Sequence, residues 1–294
     1  MSEHRSPQPH APQPHAPEPS PKLDTADLLG TSMRIIGASF GPLLALALLC
    51  LLPAILFDTL LPIAVDALVP EAEPLDPQAP EVVLPAVLAL GGLCGGVLLE
   101  LILTYIAQGA MTYVLIELLA GRQAGVGASL GQAARRAGPL LLTSILSGVA
   151  VFLGALACLL PGLYISMVLF LVVPAVMMED VGPVQALKRS AALTEGHRGT
   201  LFLAFLAVLL VNIVLACIIT SFGVGMGGEV AGAYDATGQP QGPSALGLVV
   251  EGAISWAIAA LQSMALAALG AVAYVRIRGI RERVNAQALA EVFA

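Results

Sequence analysis

Six apolar runs dominate this chain of 294 residues, at 41–66, 88–113, 138–160, 163–178, 200–226 and 246–274. A helix needs roughly 20 such residues to cross a hydrocarbon core of about 30 Å. In lipid, every backbone N–H and C=O must be satisfied within the protein, which confines spanning segments to helices and closed barrels. Only 11% of the residues are charged, against about 25% in an ordinary soluble domain. The expected fold class is therefore an all-α polytopic membrane protein with six transmembrane helices. The second run extends over 82–119, too long for one crossing at about 1.5 Å per residue. Residues 88–113 are read as its span, with the ends projecting.

Threaded through a bilayer, these runs place every basic side chain on one side. Arg5, Lys22 and Arg34 precede the first run, and Arg122, Arg135 and Arg136 lie between the second and third. Lys188, Arg189 and Arg198 lie between the fourth and fifth, and Arg276, Arg278, Arg281 and Arg283 follow the sixth. The opposite loops hold Glu71, Glu73, Asp76, Glu81, Glu229 and Asp235 but no Lys or Arg. Loops rich in Lys and Arg stay in the cytoplasm. The expectation is a multi-pass protein of the bacterial inner (cytoplasmic) membrane with both termini cytoplasmic. Its first partner is the lipid bilayer. Nucleic acid is excluded as a partner, because no basic stripe interleaved with aromatics is present.

Three regions follow. Residues 1–22 carry the pentad PQPHA twice and read as a disordered Pro- and His-rich tail. Residues 23–275 form the six-helix membrane domain, and 276–294 a basic tail. Within the domain, segments 25–40, 129–137 and 183–195 have one-sided helical periodicity and are expected as amphipathic helices lying in the cytoplasmic interface. Each precedes a similar apolar opening: GPLLALALL at Gly41, GPLLLTSIL at Gly138 and GTLFLAFLA at Gly199. Three copies of interfacial helix, outward span and inward span fit the chain. Duplication and convergence on one way into the membrane both account for the likeness. Gly91, Gly92, Gly95 and Gly96 make two overlapping GxxxG spacings that permit close helix contact.

The stretch PGLYISMVLFLVVPAVMMEDVGPVQALKRSAALTEGHRGTLFLAFLAVLL is the most distinctive. Its Pro161-Gly162 pair, Tyr164, Pro174, Glu179, the run Ala186-Leu187-Lys188-Arg189-Ser190 and Gly196 resemble a bacterial family. That family is described as the glycerophosphoryl diester phosphodiesterase membrane domain, with related inner-membrane proteins of uncharacterised function. The opening segment LLGTSMRIIGASFGPLLALALLCLLPAIL is similar to the same family's first helices, and the likeness covers most of 28–275. Family members with phosphodiesterase activity carry a separate catalytic TIM barrel, which takes about 250 residues. The soluble stretches here are a few tens of residues, so the resemblance implies a membrane module without that activity.

Ionisable groups at membrane depth are costly and suggest function. Glu100 is the deepest, and with Thr104, Gln108 and Thr112 it forms a stripe at four-residue spacing on one helix face. Asn212 lies in the fifth run, and Glu251, Ser255 and Gln262 share a face of the sixth. Facing one another, these residues would line a polar passage or bind a small solute or cation. The plainer alternative is interhelical hydrogen bonding, about 1 kcal/mol per contact. On the cytoplasmic side, Glu179, Lys188 and Arg189 read either as holders of anionic lipid headgroups or as anchors with a surface ion pair. Cys50, Cys94, Cys158 and Cys217 sit in apolar runs with no CxxC pair, so they read as packing residues. No cofactor or metal is implied. His197 is the one His beyond the tail and reads as an interfacial residue after a helix end. The expected function is a non-enzymatic scaffold or accessory module for a membrane-protein partner, lipids or further copies of itself. The rival is a transporter of a small solute, ion or lipid with a polar site around Glu100.

Overall fold

The computed structural model of the protein describes residues 23–68, 80–226 and 245–292. The Pro- and His-rich tail, the acidic loop after the first apolar run, the Gly-rich loop before the last and the side chain of Glu251 lie outside the described residues. The rest is helical. In order come α1 (Thr25–Ala38), α2 (Phe40–Leu68), α3 (Pro80–Leu119), α4 (Val126–Arg135) and α5 (Ala137–Ala157). They are followed by α6 (Leu159–Val168), α7 (Val172–Met178), α8 (Pro183–Thr194), α9 (Arg198–Met226) and α10 (Ala245–Val292). Five stretches are long and apolar enough to cross a membrane: 90–119, 137–157, 159–178, 198–218 and 252–281. A sixth is the pair α1 and Phe40–Ala54 of α2, bent by 79°. The polytopic all-α class is thus the fold observed.

Four prolines stand near helix starts. Pro42, Pro139, Pro161 and Pro174 each stand third in their helix (α2, α5, α6 and α7). There the missing N–H is one of the four that a helix start leaves unpaired anyway. Ser39 and Arg136, with φ −117° and −102°, are the single residues that separate α1 from α2 and α4 from α5. Asp24 caps α1 by accepting from the Ala26 amide. Two boundaries differ from the sequence reading. The turn between the third and fourth runs is at Cys158, in extended backbone, and Pro161-Gly162 lies inside α6. The fourth run is also not one helix: it breaks at Leu169–Phe170–Leu171, just ahead of Pro174. The sixth run and the basic segment after it form one continuous helix, α10.

The three copies read from sequence reappear as three structural units: α1-α2-α3, α4-α5-α6/α7 and α8-α9-α10. Their packing closes into a ring. Each short helix lies against the last helix of the preceding unit, α4 on α3, α8 on α7, and α1 on α10. The last helices of the three units, α3, α7 and α10, also touch one another. Ser32, Ser129 and Ser190 occupy matching positions, nine residues before Gly41, Gly138 and Gly199, and all three are buried. Leu28, Ser32 and Ile35 of α1, and Ala186, Ser190, Leu193 and Thr194 of α8, turn one face inward at helical spacing.

The core gathers Leu43, Leu46, Met111, Leu115, Leu140, Leu171, Met177, Leu201, Met264 and Tyr274, all essentially inaccessible. Phe152, Leu153, Val211 and Val249 are more than half exposed, as lipid-facing positions must be when hydrocarbon is the solvent. The α5–α6 hairpin is held by small residues. A Cβ on Gly162 would lie 2.7 Å from the Ala155 amide nitrogen, whereas one on Gly148 meets nothing within 4 Å. Gly162→Ala is therefore expected to destabilise the protein by about 1–3 kcal/mol, the usual scale of overpacking. Gly148→Ala should leave it unchanged; thermal unfolding in lipid nanodiscs measures both.

Candidate functional site

The polar side chains that converge do so at the end of the bundle where the basic residues lie. Glu179 follows the last turn of α7, and both of its carboxylate oxygens accept from Arg189 Nε of α8, each at 2.9 Å. The Tyr274 hydroxyl of α10 donates to Glu179 Oε1 at 2.9 Å, and Arg278, one turn on, donates to that hydroxyl at 3.2 Å. Arg136 comes from the start of α5 and donates one guanidinium nitrogen to the carbonyls of Val176 and Glu179, at 2.8 and 2.7 Å. A second nitrogen lies 3.5 Å from Asp180. A cation on the last carbonyls of a helix is favourable both as a cap and against its dipole. Glu179 therefore joins α7, α8 and α10, and Arg136 adds α5.

Beside this network, α8 repairs the broken span. Ser190 Oγ donates to the Val168 carbonyl at 2.8 Å and accepts from the Leu171 amide at 3.2 Å. Thr194 Oγ1 donates within its own helix to the Ser190 carbonyl at 3.0 Å and reaches the Val168 carbonyl at 3.3 Å. Arg198, at the start of α9, hydrogen-bonds the Tyr164 hydroxyl, with its guanidinium 5.2 Å from that ring's centre. The ring of units closes on the α1 side through Arg276 of α10, whose guanidinium pairs with Asp27 and donates to Thr31. The Arg276 hydrogen bond holds the Asp27 carboxyl below its usual range. Burial, with Arg281 nearby, lowers His197 in the turn between α8 and α9. Arg122, after α3, is raised by its hydrogen bonds to Glu117 at 2.6 and 3.0 Å. A cavity of about 210 Å³ between the α1–α2 bend and residues 122–124 includes Arg122 in its lining, but that guanidinium is already paired.

The intramembrane residues singled out from sequence are not joined in this way. Glu100 is exposed, next to exposed Val97 and Leu98. Ala107, Met111 and Val114 lie 7, 11 and 14 residues further on the same face of α3, and all are buried. Gln262 is likewise exposed, while Leu269 and Ala273 on its face of α10 are fully buried. Along these two faces the described residues are buried toward the basic end and exposed toward the other. Thr104 is half-buried, and Gln108 donates to the Ser263 carbonyl at 3.3 Å, tying α3 to α10. Asn212 donates to the Val208 carbonyl of its own helix at 2.9 Å. No hydrogen bond links one described member of this set to another, and each described bond it makes goes to a backbone carbonyl.

Lys188 is exposed, whereas Arg189 is engaged by Glu179. Tyr274, Arg136 and the Ser190–Thr194 pair were not among the residues singled out from sequence. A signal for the last was present: Ser190 and Thr194 are four apart, on one face of a helix, the face that α8 turns inward, where a hydroxyl needs a partner. Among the described residues, no three His, Cys, Asp or Glu side chains come together as a metal site. No family model matches the chain, and no curated protein or solved structure matches it either.

Two outcomes are expected. Arg189→Gln leaves a largely buried carboxylate short of its charged donor and should destabilise by about 1–3 kcal/mol. Adding Glu179→Gln should recover part of that loss in a double-mutant cycle read by thermal unfolding. The Asp27–Arg276 clasp has the opposite exposure. Because folding lowers the Asp27 pKa, its contribution is present above the unfolded value and is lost as pH falls through the folded one. Hydrogen exchange of α1 is expected to accelerate below about pH 4 and in Asp27→Asn, with the variant insensitive to that pH change.

Proposed function

We propose that the protein is a non-enzymatic scaffold or accessory module of the bacterial inner membrane, with the basic end and both termini in the cytoplasm. The locked basic end carries this reading. The Ser190 bonds and the Glu179 network fix α8, and the Asp27–Arg276 clasp fixes α1, to the apolar helices, while α4 packs on α3. Rigid short helices with exposed outer faces, such as Val184, Gln185 and Lys188 of α8, suit a docking platform better than a moving gate. The resemblance to the membrane-domain family of glycerophosphoryl diester phosphodiesterases supports the same reading, since that module accompanies an activity located elsewhere.

One observation favours a second reading. Glu100 and Gln262 are exposed away from the basic end, so a transporter open toward the periplasm would present Glu100 to an incoming solute or cation. The two readings separate in one pair of experiments. A photocrosslinking residue at Val184 or Lys188 in native membranes is expected to capture the same protein or lipid in repeated preparations. Reconstituted protein is expected to show no solute or ion flux above empty liposomes. Flux that Glu100→Gln abolishes, with no reproducible crosslink, would overturn the scaffold in favour of the transporter.

A further inference from the structure

The three units are not equivalent at one place, and that place has the chemistry of a site. In units one and two the buried serine of the short helix bonds its own helix: Ser32 donates to the Leu28 carbonyl at 2.8 Å, and Ser129 to the Gly125 carbonyl at 2.9 Å. Ser190 instead leaves its helix to bond the break between α6 and α7. Facing that break, α5 carries three hydroxyls on one side, Thr143, Ser144 and Ser147, at i, i+1 and i+4. The matching positions are Leu46, Ala47 and Cys50 in α2, and Ala204, Phe205 and Val208 in α9. The hydroxyl cluster therefore occurs in the one unit whose last helix is broken.

Between the cluster and the break lies a cavity of about 80 Å³, lined by the three hydroxyl residues together with Tyr105, Leu169 and Val172, among others. Thr143 donates to the Pro139 carbonyl at 2.5 Å and Ser144 to the Leu141 carbonyl at 2.7 Å. Their oxygens keep a lone pair for a further donor. Ser147 Oγ is buried and has no partner within the protein. On its other side the cavity is lined by Leu169 of the break and by Val172, Val173 and Val176 of α7. A buried hydroxyl left without a partner is costly, and apolar voids stay dry whereas polar ones of sufficient size take up water. At about 30 Å³ per molecule in the liquid, this cavity has room for two waters.

We propose that the cavity is a water-binding site at membrane depth, in which ordered waters join Ser147 Oγ to the Thr143 and Ser144 oxygens beside the break. The site is built by α5, α7, Leu169 of the break and Tyr105 of α3, and is independent of whether the basic end docks a partner.

Radiolytic hydroxyl footprinting of the full chain in lipid nanodiscs tests this, because oxidation there reports water held against a side chain. Tyr105 is expected to be modified well above Met111, which is buried in the core away from any described cavity. In Ser147→Leu, which fills the space, Tyr105 modification should fall toward the Met111 level. Ser147→Ala keeps the fold testable if the larger residue does not insert: with water bound, the loss of its anchor should lower Tm by about 2–4 °C. Tyr105 modification equal to that of Met111 in the unaltered protein overturns the proposal. So does a Ser147→Ala variant whose Tm is unchanged or raised, since removing a dry, orphaned hydroxyl costs nothing.

Discussion

A backbone that enters hydrocarbon cannot leave its hydrogen bonds unmade, and the break in the fourth apolar run is where this bundle meets that constraint most visibly. The chain breaks at Leu169–Leu171, just ahead of Pro174. Ser190 of α8 bonds both sides of the break, the Val168 carbonyl and the Leu171 amide. The same helix packs against α5 and α7 and carries Arg189 to Glu179, which also meets Tyr274. Backbone repair and the charge network thus share one helix.

The ring of three units gives this local repair a wider setting. Each short helix is clasped by the last helix of the unit before, and the clasp between α10 and α1 joins the ends of the domain through Arg276 and Asp27. Buried serines at matched positions serve the first two units within their own helices, at little cost in packing. The third unit uses the same serine for a different bond. Repetition supplied a common frame, and departure from it marks where the chain does something specific.

Much of this was legible from the residues in order. Most of the apolar runs, the three short helices and the openings at Gly41, Gly138 and Gly199 are helices as the sequence implies, whereas the fourth run is split into α6 and α7. The runs at 138–160 and 163–178 leave Pro161-Gly162 between them, but Pro-Gly suits a turn and, with proline third, a helix start alike; in the structure Gly162 packs on Ala155 inside α6. The polar residues at membrane depth were legible as unusual but not as partners. Glu100, Asn212 and Gln262 differ in their surroundings by how their helices rotate and pack against neighbours, which is not written in spacing along one helix.

Hydropathy and charge order by themselves determined the class and the end at which the described cations gather. Transfer of a segment into lipid is a sum over that segment's own residues, so it needs no knowledge of neighbours. Tertiary structure alone decided that Glu179 meets Arg189 and Tyr274, that Ser190 turns to the break rather than to its own helix, and that a cavity opens beside Ser147. Those are contacts between residues 10 to 95 positions apart, set by how close-packed helices rotate and cross, and only the assembled bundle fixes that.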